Sequence, residues 1–186
     1  MDQTDEQLVD LAKSGDDRAF DILMRRYLKA IFRFAQQYVR GSEDAEDVTQ
    51  ETFFKAWKYL KRFTPGSTFK PWLFTIARNT ALDVIKKKKL VIFSTLDNEE
   101  QDITFAETVE DVTPLAPELF EQAETALALS KLMEVLHPDH RSVLLLHYRD
   151  EMTFEEIAII MDKPMNTVKS WHRRALERIR LNYAPK

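Results

Sequence analysis

The sequence contains no cysteine and only three glycines in 186 residues. Without cysteine the chain forms neither a disulfide framework nor a thiolate metal site, which is typical of a protein from a reducing compartment. The scarcity of glycine, together with long stretches of helical periodicity, indicates an all-α protein with few tight β turns.

Long apolar runs are also missing. No stretch approaches the ~20 apolar residues that a membrane-spanning helix needs, and the acidic N-terminus MDQTDEQL lacks the apolar core of a signal peptide. We therefore expect a cytoplasmic protein with no membrane insertion. No glycine-rich phosphate loop, nucleophile elbow or paired metal-ligand motif is present, so we expect neither a cofactor nor a metal.

Positive charge is absent from the middle of the chain. Residues 90–127 hold ten acidic residues and no basic one, whereas residues 1–89 are net +4 and residues 128–186 net +2. The overall net charge of −4 therefore hides two basic ends that can attract nucleic acid. Residues 90–120 also lack a sustained helical period and end in TPLAPE, as a linker does. We predict two small helical domains, 1–89 and 121–186, joined by an acidic flexible linker at 90–120.

The stretch from Thr153 to Arg180 predicts a helix-turn-helix. Thr153 and Glu156 have the spacing of a capping box, in which each side chain binds the other residue's free backbone N–H and so starts a helix. Pro164 ends that helix, and Asp162 occupies the turn position that needs a left-handed backbone. Asn166 or Thr167 can cap the second helix.

The second helix of this motif combines an apolar stripe with a cationic surface. The stripe consists of Val168, Trp171, Ala175 and Ile179. From Lys163 to Lys186 there are seven basic residues and one acid, Glu177. A cationic helix of this size fits the major groove of duplex DNA. The alternative is a solvated amphipathic helix in an ordinary bundle, but the coincidence of cap, turn, spacing and one-sided charge favours DNA binding.

An acidic helix is predicted to begin after Gly41, with Ser42 as its cap and acids in its first turns, where the helix dipole favours them. Its inner face is marked by Val48, Thr52, Ala56 and Leu60.

A basic and aromatic segment follows the acidic helix. Ten basic residues and one acid lie between Lys55 and Lys89, and aromatic side chains are interleaved with them. Basic groups bind phosphates and aromatic faces stack on unpaired bases, so this mixture suits single-stranded DNA. At least half of the aromatics, including Trp57 and Trp72, are expected to pack in the core. The loop Phe63–Phe69 and Asn79 are the better candidates for contact with bases.

Three motifs together resemble a known family. DAEDVTQETFFKAWKYL (44–60), FKPWLFTIARNTALDVIKKK (69–88) and the C-terminal HPDHRSVLLLHYRDEMTFEEIA with MNTVKSWHRRALERIR are similar to bacterial sigma factors of the extracytoplasmic-function type. The resemblance covers about 19–89 and 124–180, in the order and spacing of the family. It implies a protein that binds core RNA polymerase, its β′ clamp helices and β flap, and directs promoter-specific transcription initiation.

The resemblance also implies which residues make the contacts. The polymerase contacts implied are Asp47, Gln50 and Glu51. The contacts implied for the melted minus-ten element are Phe63, Ser67, Phe69, Arg78 and Asn79. The contacts implied for the duplex minus-35 element are Thr167, Lys169, Ser170, Arg173, Arg174 and Arg178. An anti-sigma factor is implied as a further partner.

The sequence departs from the family pattern inside the helix-turn-helix. Asp162 and Lys163 stand where the family usually has glycine and an apolar residue, and Asn166 replaces a frequent glycine. Trp171 and His172 replace a frequent Arg-Leu pair. These departures bear on which promoter sequence the helix reads.

Two other classes compete with this interpretation. A helix-turn-helix regulator that is no polymerase subunit would explain 153–180 but would leave the acidic helix and the basic aromatic segment as bundle surface. An enzyme could use a metal held by His137, His140, His147 and Asp139, or a carboxylate cluster at Asp44, Glu46, Asp47 and Glu51. Solvated or structural histidines are the simpler explanation, because no paired metal-ligand motif is present.

Overall fold

The computed structural model describes residues 3–39, 41–64, 66–95 and 132–182, and every regular element in these ranges is a helix. The all-α prediction is therefore confirmed. The chain forms two compact units, divided within the segment 96–131, which we call the N-terminal and the C-terminal unit. Most of the predicted linker lies outside the described residues, so its bounds stay a prediction.

Four helices build the N-terminal unit. They are α1 (Asp5–Lys13), α2 (Asp17–Ala35), α3 (Ser42–Tyr59) and α4 (Phe69–Thr95), with a short 3-10 turn, Leu60–Arg62, after α3. The α4 helix thus extends six residues past the predicted start of the linker. The side chains of Leu23, Ile31, Phe34, Leu73 and Phe74 are fully buried between the helices.

The α2 helix ends at Ala35, where the chain tightens: the Tyr38 amide donates to the Ala35 carbonyl at 2.9 Å. One local prediction in this unit is wrong, namely the cap of α3. Ser42 is the first residue of α3 rather than its cap, and its hydroxyl lies 3.2 Å from Glu46 Oε1. Gly41 precedes it with φ +88°, a conformation that glycine adopts at little cost.

The C-terminal unit contains α5 (Pro138–Tyr148), α6 (Phe154–Met161) and α7 (Met165–Asn182). Its described part begins with a helical turn at 132–134. Leu136, Leu144 and Ala175 form a buried cluster against which Met133, Leu176 and Ile179 pack. Burial of these apolar groups fixes α7 along one stripe and leaves its other faces free.

The helix-turn-helix has the predicted form. The Thr153 hydroxyl accepts from the Glu156 amide at 3.2 Å, and Glu156 Oε2 accepts from the Thr153 amide at 2.8 Å, so the capping box is present. Asp162 ends α6 with φ +52° and ψ +50°, the predicted left-handed turn. The cap predicted at Asn166 or Thr167 is wrong, because α7 starts earlier, at Met165, and the Thr167 amide donates to the Pro164 carbonyl at 2.9 Å.

Across the described ranges, none of the helices has both the length and the apolar character that crossing a bilayer requires.

Candidate interfaces for nucleic acid and a protein partner

The α7 helix buries one side and presents cations on the others. Val168 and Ala175 are fully buried, whereas Lys169, Arg173, Arg174 and Arg178 are exposed and Thr167 and Ser170 are half-buried. The apolar stripe and the predicted contact residues are therefore separated as the sequence pattern predicts. The Ser170 hydroxyl donates to the Thr167 carbonyl at 2.9 Å, so its oxygen remains available as an acceptor.

The charges on this surface are weakly neutralised. Arg173 Nε lies 3.7 Å from Glu177 Oε1, with both side chains more than half exposed, and such a surface pair contributes little to stability. Within residues 132–182, Arg174 and Arg178 form no ion pair with an acid. The arginine side chains on this surface are therefore available to bind the phosphates of a nucleic acid.

An aromatic and histidine cluster lies under the first turns of α7. His147 of α5 stacks on Phe154 of α6, with ring centroids 4.6 Å apart, and its Nδ1 donates to the Met152 carbonyl at 2.8 Å. His172 of α7 packs edge-on against both rings. Burial, and then the positive charge of His147, lower the pKa of His172. No local sequence pattern marks this cluster, because its members are spread over three helices.

The cluster also positions a predicted DNA contact. The Lys169 ammonium lies 5.9 Å from the centroid of the Phe154 ring, within reach of a cation–π interaction. Phe154 is itself held by the stacked His147. The orientation of Lys169 therefore depends on side chains of α5 and α6.

Two departures from the family pattern have a packing role here. Trp171 is half-buried and its ring lies 5.9 Å from that of His140, while His172 belongs to the cluster described above. Burial, followed by the positive charges of His137 and Arg174, lowers the pKa of His140. Trp171 and His172 thus connect α7 to the rest of its unit.

On α3 the three residues predicted to bind polymerase, Asp47, Gln50 and Glu51, are all exposed. The intervening Val48 and Thr49 are buried, so the acidic face is presented by a helix anchored through its opposite side. Glu51 is 3.6 Å from Lys55 Nζ, an ion pair one turn apart.

An apolar groove runs between α2 and α3 beside these residues. It is a cleft of about 480 Å³, and its lining includes Phe20, Met24, Leu28, Gln50, Phe54 and Trp57. Phe54 and Trp57 are 54% and 57% exposed, so the prediction that Trp57 packs in the core is wrong. The reason is geometric: Phe53 takes the inner position on α3, and successive residues of a helix point about 100° apart. Phe54 and Trp57, three residues apart, therefore form a second, outer stripe.

The loop between α3 and α4 has a buried aromatic base. Phe63 and Phe69 are 6% and 1% exposed, and their rings lie 5.1 and 5.6 Å from that of Trp72. This confirms that Trp72 packs. A base could reach the rings of Phe63 and Phe69 only if the loop opened. We therefore revise the prediction that these rings contact bases and infer that they support the loop.

The remaining candidates for the minus-ten contact are polar. Ser67 and Asn79 are exposed and Arg78 is half-buried. The Ser67 amide donates to the Thr64 carbonyl at 3.2 Å, which fixes the turn around Gly66. Among the described residues Arg78 Nε has no hydrogen-bond partner, so that atom is not used in an internal contact. The role of these residues stays a prediction.

The histidines in and just before α5 do not assemble a metal site in the described part of the chain. His137 and His140 face each other with ring centroids 5.6 Å apart, whereas His147 belongs to the cluster under α7. No group of three or more His, Cys, Asp or Glu that could hold a metal ion occurs in the described ranges.

Family models match both units. Residues 23–91 match the model for Sigma-70 region 2 and residues 126–179 match the model for Sigma-70, region 4. These two segments together account for more than half of the chain, and they coincide with the units that carry the groove and the cationic helix.

Full-length relatives are similar over nearly the whole chain. The RNA polymerase sigma-H factor of Pseudomonas aeruginosa is 31% identical over 184 residues, covering 95% of this chain and 92% of the relative. The ECF RNA polymerase sigma-E factor of Escherichia coli K12 is 34% identical over 179 residues, with the same two coverages.

Solved structures agree with this match. CnrH, determined in complex with the cytosolic domain of CnrY, superposes with a TM-score of 0.67 at 25% identity and 95% coverage of both chains. RpoE from Bartonella quintana, determined in complex with the anti-sigma factor NepR, gives a TM-score of 0.64 at 26% identity, covering 86% of this chain and 93% of that one.

Proposed function

This chain belongs to the bacterial RNA polymerase sigma factors of the extracytoplasmic-function type, and we propose how its two units carry out the work of that family. A sigma factor binds core RNA polymerase and directs transcription initiation at particular promoters. Its action rests on differences in binding rather than on covalent chemistry. Each good contact to a base discriminates against the wrong base by ~1–3 kcal/mol, which is enough to give promoter preference when several contacts add.

The N-terminal unit binds the polymerase through α3 and the apolar groove beside it. Asp47, Gln50 and Glu51 supply polar and acidic contacts on the exposed face. Phe54 and Trp57 add exposed aromatic area next to Gln50, and aromatic side chains of this kind dominate binding energy in interfaces. The proposed partner is the helical clamp of the β′ subunit, since an apolar groove flanked by acids suits an amphipathic basic helix.

The same unit holds the melted minus-ten element on another surface. Ser67 in the loop and Asn79 on α4 are exposed and can hydrogen-bond the edges of unpaired bases, with Arg78 next to Asn79 as a further donor. Phe63 and Phe69 support the loop from beneath. Because they are buried, we do not expect Phe63 and Phe69 to contact bases.

The C-terminal unit reads the minus-35 element as duplex. The α7 helix would enter the major groove, with Thr167, Lys169 and Ser170 in its first two turns near base edges and the arginines on its later turns near phosphates. The arginines are Arg173, Arg174 and Arg178. The β flap of the polymerase is the proposed protein contact of this unit.

One observation carries the proposal: α7 buries its apolar stripe completely at Val168 and Ala175 while its arginines stay exposed and weakly paired. The acidic segment that follows α4 would connect the two units, so that binding by one unit makes binding by the other effectively intramolecular. Because the polymerase is the site of action, we propose that the protein works in the cytoplasm.

Transcription from genomic DNA tests the proposal. Purified core polymerase is incubated with genomic fragments with and without this protein, and transcript starts are mapped. New discrete starts that share two upstream elements are expected. Binding to core polymerase with no new starts would contradict promoter recognition. A protein that binds DNA but not the core would belong with the ordinary helix-turn-helix regulators.

An anti-sigma factor is a second proposed partner. Of the two solved relatives above, one is in complex with a protein named as an anti-sigma factor and the other with a cytosolic domain. The exposed groove beside Phe54 offers such a protein the same surface as the polymerase. Competition is the expected behaviour, so products of neighbouring genes should be tested for displacing core polymerase from this protein.

A further inference from the structure

The first turns of α7 bring a proposed base contact and a histidine onto one support. Lys169 and His172 are three residues apart, so they are neighbours on one side of the helix. Both contact the Phe154 ring of α6. The Lys169 ammonium lies 5.9 Å from the centroid of that ring, and the His172 ring packs edge-on against it with centroids 5.2 Å apart. A displacement of His172 relative to Phe154 therefore also changes the support of Lys169.

The surroundings of His172 favour its neutral form. From α5, the His147 ring lies 5.4 Å from the His172 ring, and the Tyr148 hydroxyl lies 3.0 Å from Nε2. From α6, the acid Glu156 is already engaged in the capping box, and the neighbouring charge on α7 itself is that of Lys169. Burial, and then the positive charge of His147, lower the pKa of His172. A proton on this ring thus adds a positive charge to a contact between helices that does not balance it.

We propose that His172 is a positioning residue for sequence-specific recognition by Lys169, and that a proton on its ring weakens the preference of α7 for its DNA sequence. The neutral ring packs α7 against Phe154 and so fixes the direction of Lys169. The protonated ring is more stable in water than in this cluster, so α7 separates from Phe154 and Lys169 loses its support.

The arginines on the later turns of α7 should respond differently. The phosphate contacts proposed for Arg174 and Arg178 depend on charge and carry no sequence information. Protonation of His172 should therefore lower the affinity for the correct sequence and leave the affinity for an unrelated sequence unchanged or slightly higher. This inference rests on the proposed reading of the minus-35 element by α7 and adds a residue that controls it.

The test measures specificity with polymerase holoenzyme. One probe is a duplex that carries the upstream element shared by the mapped start sites, and the other is the same duplex with that element scrambled. The ratio of the two dissociation constants reports contacts to bases, since phosphate contacts enter both constants. It is determined at fixed salt between pH 7.5 and pH 5.5, at a temperature at which circular dichroism shows native helix content throughout.

Three variants are compared with the wild type. His172→Leu removes the titrating ring and keeps an apolar side chain that is frequent at this position of the family. Lys169→Gln removes the residue through which His172 is proposed to act. His140→Gln is the matched control, because His140 is a second histidine whose pKa is lowered and its ring packs against Trp171 of α7.

The wild-type ratio is expected to fall about two- to fivefold between pH 7.5 and pH 5.5, up to the contribution of one weak base contact. The fall should occur below about pH 6.5, because the pKa of His172 lies below the ordinary value for histidine. His172→Leu should keep its ratio over this range, and His140→Gln should behave like the wild type. Lys169→Gln should have a low ratio at pH 7.5 and should lose little more on acidification.

Other results would overturn the inference. A fall in His172→Leu as large as that of the wild type would mean that the proton acts elsewhere, and a fall abolished by His140→Gln would assign it to the contact with Trp171. A full further fall in Lys169→Gln would mean that His172 does not act through this lysine. If the wild-type ratio is about one already at pH 7.5, α7 does not recognise bases and the proposed function fails with the inference. A high ratio that does not change with pH preserves that function and refutes the role of His172 alone.

Discussion

His172 Nε2 of α7 and the Tyr148 hydroxyl of α5 lie 3.0 Å apart, in hydrogen-bonding contact. This contact links the proposed recognition helix to the helix that precedes the helix-turn-helix. His172 also packs against His147 of α5 and Phe154 of α6, and its pKa is lowered, first by burial and then by the charge of His147. The base of α7 thus contains a group that resists protonation in the folded protein.

A dependence of stability on pH follows. In the unfolded chain a histidine titrates near its ordinary pKa of about 6.5, so the unfolded state takes up a proton at a higher pH than folded His172 does. The contribution of neutral His172 to the free energy of unfolding is complete above about pH 6.5 and is lost as the pH falls below that value. We expect the melting temperature of the wild type to drop more between pH 7.5 and pH 5.5 than that of His172→Leu. Equal drops would show that the cluster around His172 does not cause the effect.

The capping box of α6 offers a test of local stability. Replacing Thr153 by alanine removes the acceptor of the Glu156 amide, a loss of about 1 kcal/mol. Amide exchange in α6 measured by mass spectrometry should become about fivefold faster. Thr4→Ala, which breaks the equivalent box of α1, is the matched control and should accelerate exchange in α1 alone. Unchanged exchange in α6 would mean that the cap does not limit its opening.

The exposed aromatic ring of Phe54 should matter for polymerase binding and little for folding. Because the side chain is 54% exposed, Phe54→Ala leaves no buried cavity, and we expect the free energy of unfolding to change by less than about 0.5 kcal/mol. If the ring is an anchor, affinity for core polymerase should fall roughly tenfold or more. Leu11→Ala, a comparable change on exposed α1, is the control. Wild-type affinity in Phe54→Ala would exclude the groove as the polymerase site.

Sequence patterns predicted the helical elements well because their signals are local. The box at Thr153 and Glu156, the turn at Asp162 and the stripe through Val168 each depend on residues within a few positions. The sequence also separated the buried stripe of α7 from its cationic face, because that separation follows from helical period alone.

Other features needed tertiary information. The sequence predicts that Phe63 and Phe69 are exposed loop aromatics, but both rings pack against Trp72. Trp72 is distant from Phe63 along the chain, so no local pattern predicts their contact. The adjacent Phe53 and Phe54 did carry a usable signal: two neighbouring aromatics in a helix cannot both face one core. The His147 and His172 pairing joins α5 to α7 and had no such local signal.

The single acid in the basic C-terminal stretch, Glu177, should restrain DNA binding. Its Oε1 lies 3.7 Å from Arg173 Nε on an exposed surface, so Glu177→Gln costs at most about 0.5 kcal/mol of stability. The substitution frees the arginine and removes a negative charge close to the proposed phosphate contacts, so affinity for a minus-35 duplex should rise about two- to fivefold in low salt. Arg173→Gln should lower affinity, and the double variant should bind like Arg173→Gln if the acid acts through that arginine. A gain that persists in the double variant would show that Glu177 acts on DNA directly through its charge, and no gain at all would place Glu177 away from the DNA.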